Sequence, residues 1–411
     1  MKINVSSEIG HLNGVIVHTP GHEVSLVNPE IAEQLLFDDI IFEDDARGEH
    51  LDMLEVFKAA MNPDGKVIEI ADIFLETIQN EDAAAYFIEQ LIKEYPEENL
   101  QVIEDELRSL DPDDLLKFSV QGVLHGSKDF NMLPSPNLLF TRDLAAVCGD
   151  SILLSRAATK ARLRESLIME TVVQHHPLFN EVKNNAIRIS GHQSIEGGDV
   201  LVQSNKLVLI GMSERTSFTG LMKAAEGLLN HGVETVLAVD IPKQRASMHL
   251  DTVFTFISKN ECVAFPPAIL DQKDNVVALQ KNGDKIVAEQ RSSLQSALNE
   301  FSGVDYTFIK CGGEDLTSQF REQWTDGANM FALAPGVAVG YERNTRTFNT
   351  LVDHGYAFMN QFEFVEEYGN APLPLNDELK IAISFQGHEL CRGRGGARCM
   401  TMPISRELIN H

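Results

Sequence analysis

Short apolar runs, each introduced by a polar motif and broken by a turn, recur along the chain. Asn137-Leu138-Leu139-Phe140-Thr141-Arg142-Asp143 leads into Ala145-Ala146-Val147-Cys148, a Gly149-Asp150 turn and Ile152-Leu153-Leu154-Ser155. Glu196-Gly197-Gly198-Asp199 leads into Val200-Leu201-Val202, a Ser204-Asn205-Lys206 turn and Leu207-Val208-Leu209-Ile210-Gly211. His249-Leu250-Asp251-Thr252 precedes Val253-Phe254-Thr255-Phe256-Ile257 and Cys262-Val263-Ala264-Phe265, and Asp326-Gly327-Ala328-Asn329 precedes Met330-Phe331-Ala332-Leu333 and Val337-Ala338-Val339-Gly340-Tyr341. Each unit reads as a polar motif, a β-hairpin and, usually, a helical stretch such as residues 217–232. The β-branched run Gly14-Val15-Ile16-Val17-His18, closed by Thr19-Pro20-Gly21, supplies a candidate fifth unit together with the C-terminal loop.

Other segments have a helical period. Residues 30–41 read as a helix, as do residues 45–61, with Asn62-Pro63-Asp64-Gly65 as the stop signal. From 71 to about 120, Ile73, Phe74, Ile78, Ala85, Phe87, Ile88, Leu91 and Ile92 recur at three- and four-residue spacing among many acids. Pro96 and Asp111-Pro112-Asp113 punctuate successive helices there, with no strand-like run between them. Strand-rich sequence lies on both sides, so residues 71–127 are expected to be a helical insertion in a catalytic unit of residues 1–70 and 128–411. The irregular spacing of the units indicates variable insertions rather than a uniform solenoid. Units arranged about an axis would place their polar motifs at equivalent strand ends, around one central pocket.

Composition narrows the partners. With 411 residues and a formal net charge of −27, the chain lacks the basic footprint that nucleic acid or an anionic membrane surface requires. The N-terminal residues show no signal-peptide pattern, and no stretch approaches the roughly 20 apolar residues of a spanning helix. The five cysteines are an odd number, widely spread and without a CxxC pair. They fit reduced thiols in a cytoplasmic protein better than a disulfide scaffold or a structural zinc site. A homo-oligomer is left open.

The polar motifs would bring together Asp143, Glu196, Asp199, His249 and Asp251. The C-terminal run Cys391-Arg392-Gly393-Arg394-Gly395-Gly396-Ala397-Arg398-Cys399 adds a thiol, three arginines and three glycines. Buried carboxylates are costly unless something positive joins them. His249-Leu250-Asp251 with neighbouring carboxylates has some character of a divalent-metal site, but no His-x-x-x-His or similar spacing supports one. A cationic substrate explains more: two carboxylates flanking a planar guanidinium can each make paired, charge-assisted hydrogen bonds. Cys399 could then attack the guanidinium carbon while His249 protonates the departing nitrogen. The carboxylates would raise the thiol pKa in the empty site and an arriving cation would lower it, so activation by substrate is expected.

Taken together, these motifs resemble the arginine deiminases of the guanidino-modifying, amidinotransferase-like superfamily. The resemblance also includes Ile210-Gly211-Met212-Ser213-Glu214-Arg215-Thr216-Ser217, Arg321-Glu322-Gln323-Trp324 and Arg394-Gly395-Gly396-Ala397-Arg398-Cys399-Met400, in order over nearly the whole chain. It implies an α/β fold: a five-fold pseudosymmetric αβ propeller (pentein-like) with an inserted helical module. It implies hydrolysis of L-arginine to L-citrulline and ammonia through a covalent S-alkylthiouronium intermediate, with no metal or organic cofactor. By position, Cys399 is then the nucleophile and His249 the general acid and base; Asp143 and Asp251 hold the guanidinium and Glu196 assists them. Arg162, Arg215 and Arg394 would bind the substrate carboxylate, Asn137 and Phe140 would line the pocket, and Asp199 would support it from behind. Family spacing favours Arg162 over Arg164. The segment Phe37-Asp38-Asp39 would place Asp39 near the substrate entrance. Ala397 stands where many members carry proline or glycine, and Leu144-Ala145-Ala146 where a Pro-Phe-Ala type sequence is usual; neither departure removes a reacting group. The rival readings are an amidinotransferase, an agmatine deiminase or a methylarginine hydrolase, and a non-catalytic arginine-binding protein.

Overall fold

The four polar motif–hairpin units fold as antiparallel pairs in the structure, a computed structural model that describes residues 1–124, 132–374, 376 and 379–409. The pairs are Ala145–Cys148 with Ser151–Leu154, Val200–Val202 with Leu207–Met212, Phe254–Phe256 with Glu261–Ala264, and Phe331–Ala334 with Val337–Tyr341. A further strand then lies parallel to the second of each pair: Ala186–Arg188, Thr235–Asp240, Thr307–Lys310 and Ile381–Phe385. Parallel neighbours need a long crossover, supplied by helices such as Lys160–His175, Phe218–Asn230, Leu294–Ser302 and Thr345–Asp353. The two chain ends complete a fifth sheet. Leu12–Val17 pairs antiparallel with Met402–Arg406 and parallel with Lys66–Glu69, and the crossover is the helix Glu43–Ala60. Five sheets therefore stand among the described residues, and none closes on itself.

These strands are short and buried on both faces, as in Ala145–Cys148 and Ser151–Leu154, where every residue is buried. That explains their continuous apolar runs. The second sheet is enlarged by a hairpin that the sequence pattern did not reveal: Val276–Asn282 pairs with Lys285–Arg291 and joins the sheet through Thr235–Asp240. Much of Lys285–Arg291 is exposed, so its residues lack the apolar alternation that marks a half-buried strand.

The expected helix over residues 30–41 does not form. Turns occupy residues 29–36; Leu36 takes a φ of 63°, and the Phe37 amide turns back to the Ala32 carbonyl at 2.9 Å. A left-handed residue of this kind ends a helix, and only the turn at Asn28–Leu35 precedes it. Farther on, helices cover Ile70–Ile78, Glu81–Glu94, Glu104–Ser109 and Pro112–Gln121. Their apolar faces are continuous with the neighbouring unit: Phe74, Phe87, Leu91 and Phe118 belong to one buried cluster with Leu144, Ile152, Ile168 and Val172. The expected boundary at residues 127–128 lies outside the described residues. No helix among the described residues is long and apolar enough to cross a membrane.

What the fold does for the polar motifs is local. Each of three motifs folds as a single tight 3-10 turn at the head of its strand pair: Thr141–Leu144, Gly197–Asp199 and Leu250–Thr252. The turns at Thr141–Leu144 and Gly197–Asp199 touch one another, and the latter also touches Leu250–Thr252. Their side chains share one buried space.

Candidate active site

Cys399 follows a loop that only a glycine-rich sequence can form. A β-carbon on Gly395 would come within 2.4 Å of the Phe140 ring and 3.1 Å of Cys399 Cβ. The loop leaves the thiol buried. The Cys399 amide donates to Asn329 Oδ1 at 3.0 Å, and Sγ lies 3.7 and 3.8 Å from Asp251 Oδ2 and Oδ1. Burial, then Asp251, Asp143 and Asp326, push the thiol well above its ordinary pKa; Arg398 opposes them.

Asp251 is anchored from behind. Arg398 Nη1 donates to its Oδ2 at 2.8 Å, Arg398 Nε donates to Glu8 Oε2 at 2.9 Å, and Nη2 donates to the Val200 carbonyl at 2.8 Å. Asn329 Nδ2 donates to the Asp251 carbonyl at 3.0 Å, so one asparagine fixes both the cysteine amide and this backbone. Both carboxylate oxygens of Asp251 lie at nearly the same distance from the sulfur.

Across the site, Asp143, Glu196 and His249 form a second group. His249 Nε2 lies 2.8 Å from Glu196 Oε2 and its Nδ1 3.6 Å from Asp143 Oδ1. Burial alone would favour the neutral ring, but Asp143 and Glu196 raise His249 to a pKa of about 9. Glu196 is held well below the usual carboxylate range: His249, Arg215 and Arg162 outweigh its burial. A β-carbon on Gly198 would sit 2.7 Å from His249 Cγ and Nδ1, which explains the glycine beside the ring. The three donor atoms lie close enough together to hold a metal ion. Arginines already balance their charge: Arg162 Nη1 lies 2.5 Å from Asp143 Oδ2 and 3.5 Å from Glu196 Oε2, with Arg215 Nη1 3.8 Å from Glu196.

The remaining expected residues are distributed around this core. The Asn137 side chain donates to the Leu35 carbonyl at 2.7 Å, while its own carbonyl accepts from Arg162 Nη2 at 3.0 Å. Phe140 packs on Gly395 and Gly393. Arg394 stacks 3.7 Å over the Trp324 ring; its Nε and Nη1 are buried without a hydrogen-bond partner among the described residues. Asp199 accepts the Ser213 and Thr216 hydroxyls at 2.6 Å each and the Leu250 amide at 2.8 Å, which sets the turn beside His249. Burial pushes its carboxyl up to about 7. Arg164 is spent on Ser135 Oγ and the Leu133 carbonyl, outside the cluster. Asp39 is not in the cluster either: it pairs with Arg392 at 2.9 Å, with its side chain about half exposed.

Sequence reasoning assigned no role to several residues that shape the site. Asn329 and Asp326, which accepts the Gly395 amide at 3.0 Å, lie in a motif that reads as a hairpin header and as a piece of the family resemblance, with no role assigned to either side chain. Glu165 accepts from Arg162 Nε at 2.8 Å three residues along the same helix, a spacing that could have been read as a helical ion pair. Glu8 had no signal at all, since nothing near it in the chain is patterned.

Comparison with known proteins places the chain in a family. The sequence profile of the family described as arginine deiminase matches residues 107–406. The chain is 37% identical to the arginine deiminase of Mycoplasma capricolum over 99% of its own length and 98% of that protein's. It is 34% identical to the arginine deiminases of Listeria monocytogenes and Borrelia recurrentis at comparable coverage. In three dimensions it resembles the product-bound N-terminal domain of ArgZ, a cyanobacterial arginine dihydrolase, with a TM-score of 0.55 at 13% identity, covering 96% of this chain and 97% of that one. It also resembles dimethylarginine dimethylaminohydrolase, with a TM-score of 0.51 at 15% identity, covering 95% of this chain and 99% of that one. These neighbours share the α/β pentein fold. A match of this extent, over a site with these groups in place, makes the chain a member of the arginine deiminase family.

Proposed function

We infer that the protein hydrolyses L-arginine to L-citrulline and ammonia at the cluster around Cys399, by covalent catalysis. The observation that carries this reading is the meeting of groups from separate units: Asp251 lies against the Cys399 sulfur, and Asp143 and Glu196 lie against His249. The substrate guanidinium sits between Asp143 and Asp251, with its carboxylate toward Arg162, Arg215 and Arg394 and its chain past Asn137 and Phe140. Arg394 supports that role with two buried N–H groups that no described residue accepts. Glu196 orients His249, and Asp199 supports the turn that carries it.

The protonation states give the order of events. In the empty site the thiol is neutral and His249 is protonated. The substrate's positive charge lowers the thiol pKa, the thiol releases its proton to solvent, to be recovered once citrulline has left, and the thiolate attacks the guanidinium carbon. His249 gives its proton to the departing nitrogen, and ammonia leaves an S-alkylthiouronium cation. Neutral His249 then takes a proton from the attacking water. The C–S bond breaks to give citrulline and regenerate the thiolate, and the second proton released leaves on ammonia as ammonium. No step calls for a metal or an organic cofactor.

The five sheets are read as a five-fold pseudosymmetric propeller about this pocket, which accounts for polar turns from successive units meeting at one place. The helices within residues 71–127 are read as an insertion in a unit of residues 1–70 and 128–411. Five free cysteines accord with a reducing, cytoplasmic setting. The test is product analysis with arginine, agmatine and dimethylarginine side by side, on the wild type and on Cys399→Ala. Citrulline and ammonia from arginine alone, lost in the variant and unaffected by a chelator, is the expected result. Folded wild type that does not turn over arginine removes the reading, and activity lost in chelator and restored by metal revives the metal site.

A further inference from the structure

Three arginines are read as holding the substrate's carboxylate, and one of them is held differently from the others. Arg162 lies against Asp143 and Glu165, and Arg215 lies 3.8 Å from Glu196 and 3.6 Å from Glu214. The Arg394 side chain has one long hydrogen bond among the described residues, from Nη2 to the Ala246 carbonyl at 3.4 Å, and its Nε and Nη1 are buried without an acceptor. What it does have is a ring: its Cζ lies 3.7 Å from the centre of the Trp324 ring. At that separation the guanidinium lies flat, because an N–H turned into the ring would push its nitrogen inside contact distance. The N–H groups of a guanidinium all point outward in its own plane. The stack therefore takes the face of the cation and leaves its donors free, where a carboxylate partner would have used them.

Trp324 closes the helix Leu316–Trp324 between two ties to the site. Just before it, Gln323 Nε2 donates to the Ala246 carbonyl at 2.5 Å; just after it, Asp326 Oδ2 accepts the amide of Gly395, the neighbour of Arg394, at 3.0 Å. The ring is 46% exposed, too wet to be explained as core. We propose that Trp324 is a positioning residue for substrate binding, whose ring face holds the Arg394 guanidinium so that its unpaired N–H edge meets the substrate's α-carboxylate. The proposal rests on the reading of this site as one for arginine and adds the residue that aims a cation at the far end of the substrate. Without the ring, Arg394 is a long side chain on a single weak bond, and it must lose its rotamer freedom when the carboxylate arrives.

The test measures L-arginine binding by calorimetry in Cys399→Ala, so that nothing turns over. Adding Trp324→Leu should weaken binding by about fivefold or more, and Trp324→Phe should recover most of that loss, since a phenyl face also attracts the cation. The same Trp324→Leu change in protein that already carries Arg394→Ala should cost less than about twofold, because the ring then has nothing to aim. Equal losses with and without Arg394, as a ring that merely supported the fold would give, overturn the proposal, and so does a Phe variant as weak as the Leu variant. The second measurement leaves Trp324 in place and does not depend on its variants folding. Trp324 is the chain's single tryptophan, so the emission of the ligand-free protein reads its surroundings directly. Arg394→Ala uncovers one face of the ring and should shift that emission to the red; an unmoved spectrum overturns the proposal. Wild-type turnover of arginine is a separate readout: protein that shows this dependence without turnover loses the functional reading and keeps the positioning role, and turnover without the dependence does the reverse.

Discussion

Asp143 and Asp251, which we propose flank the substrate's guanidinium, are tied to the protein in different ways. Asp251 is locked: its guanidinium partner, Arg398, spends every N–H direction used here on fixed groups, Glu8, Asp251 itself and the Val200 carbonyl. Although burial disfavours its charge, Arg398 and Arg142 hold Glu8 down to a pKa of about 2. Asp143 shares its guanidinium, Arg162, with Glu165 and Glu196, and it also faces the His249 ring. One ion pair stands apart from any histidine and the other adjoins His249, although both are buried. Burial and distance alone do not separate the two roles; what separates them is whether a titrating ring lies in the same group of charges.

The hardest way to break this contrast is to remove the locked partner. Arg398→Met should cost about 3–5 kcal/mol of stability, because it leaves Glu8 and Asp251 charged, buried and uncompensated. The shift of the urea midpoint at constant slope reads that loss. A loss below about 1 kcal/mol, the ordinary result of a surface change, would mean that Asp251 is not locked and that the two sides are alike.

The sequence carried one side of this comparison much better than the other. Hairpins headed by Asp143, Glu196 and Asp251 were legible because a polar motif, a short apolar run and a turn repeat in the same order. The chemistry of the cluster followed from the residue types at those heads. The partners were not legible, because they come from places where no pattern points inward. Glu8 lies in an unpatterned N-terminal stretch, Arg398 reads as loop charge that bears on the thiol with no pointer to Asp251, and Glu165 looks like part of a solvated helix face until its burial is known. The residue 30–41 segment failed for a local reason: its apolar spacing is helical, but a left-handed Leu36 ends the turn. A single backbone angle of that kind leaves no trace in a periodicity.

A smaller effect sharpens the comparison through pH. His249 is raised to about 9 from its ordinary 6.5 by Asp143 and Glu196 against the pull of burial. In the proposed mechanism the protonated ring is the acid for the first step, so kcat/KM should fall as pH rises through about 9. The same shift makes a contribution to stability that is complete below pH 6.5 and is lost as pH rises through 9. Glu196→Gln removes the carboxylate bonded to Nε2 and should move the basic limb down by about one unit or more. Asp251→Asn should move the limb less than Glu196→Gln does, because Asp251 acts on His249 at longer range and is not among its largest causes. A limb that moves equally in both variants would show one undivided charge cluster instead of two sides.

The smallest effect belongs to a pair outside the cluster. Asp39, expected from the family resemblance near the substrate entrance, pairs with Arg392 at 2.9 Å where both side chains are substantially exposed. Arg392 holds the Asp39 carboxyl below its usual range, but water and salt screen such a pair, and exposed pairs contribute about 0–1 kcal/mol. Asp39→Asn should therefore change stability by no more than about 1 kcal/mol, and kcat/KM by less than about tenfold even if the whole interaction acted in the transition state. The residual effect should shrink further at high salt. Activity measured at two ionic strengths checks this directly. A loss of several orders of magnitude at either would place Asp39 on the substrate, beside Asp143 and Asp251, and the two-sided account of the site would need a third carboxylate.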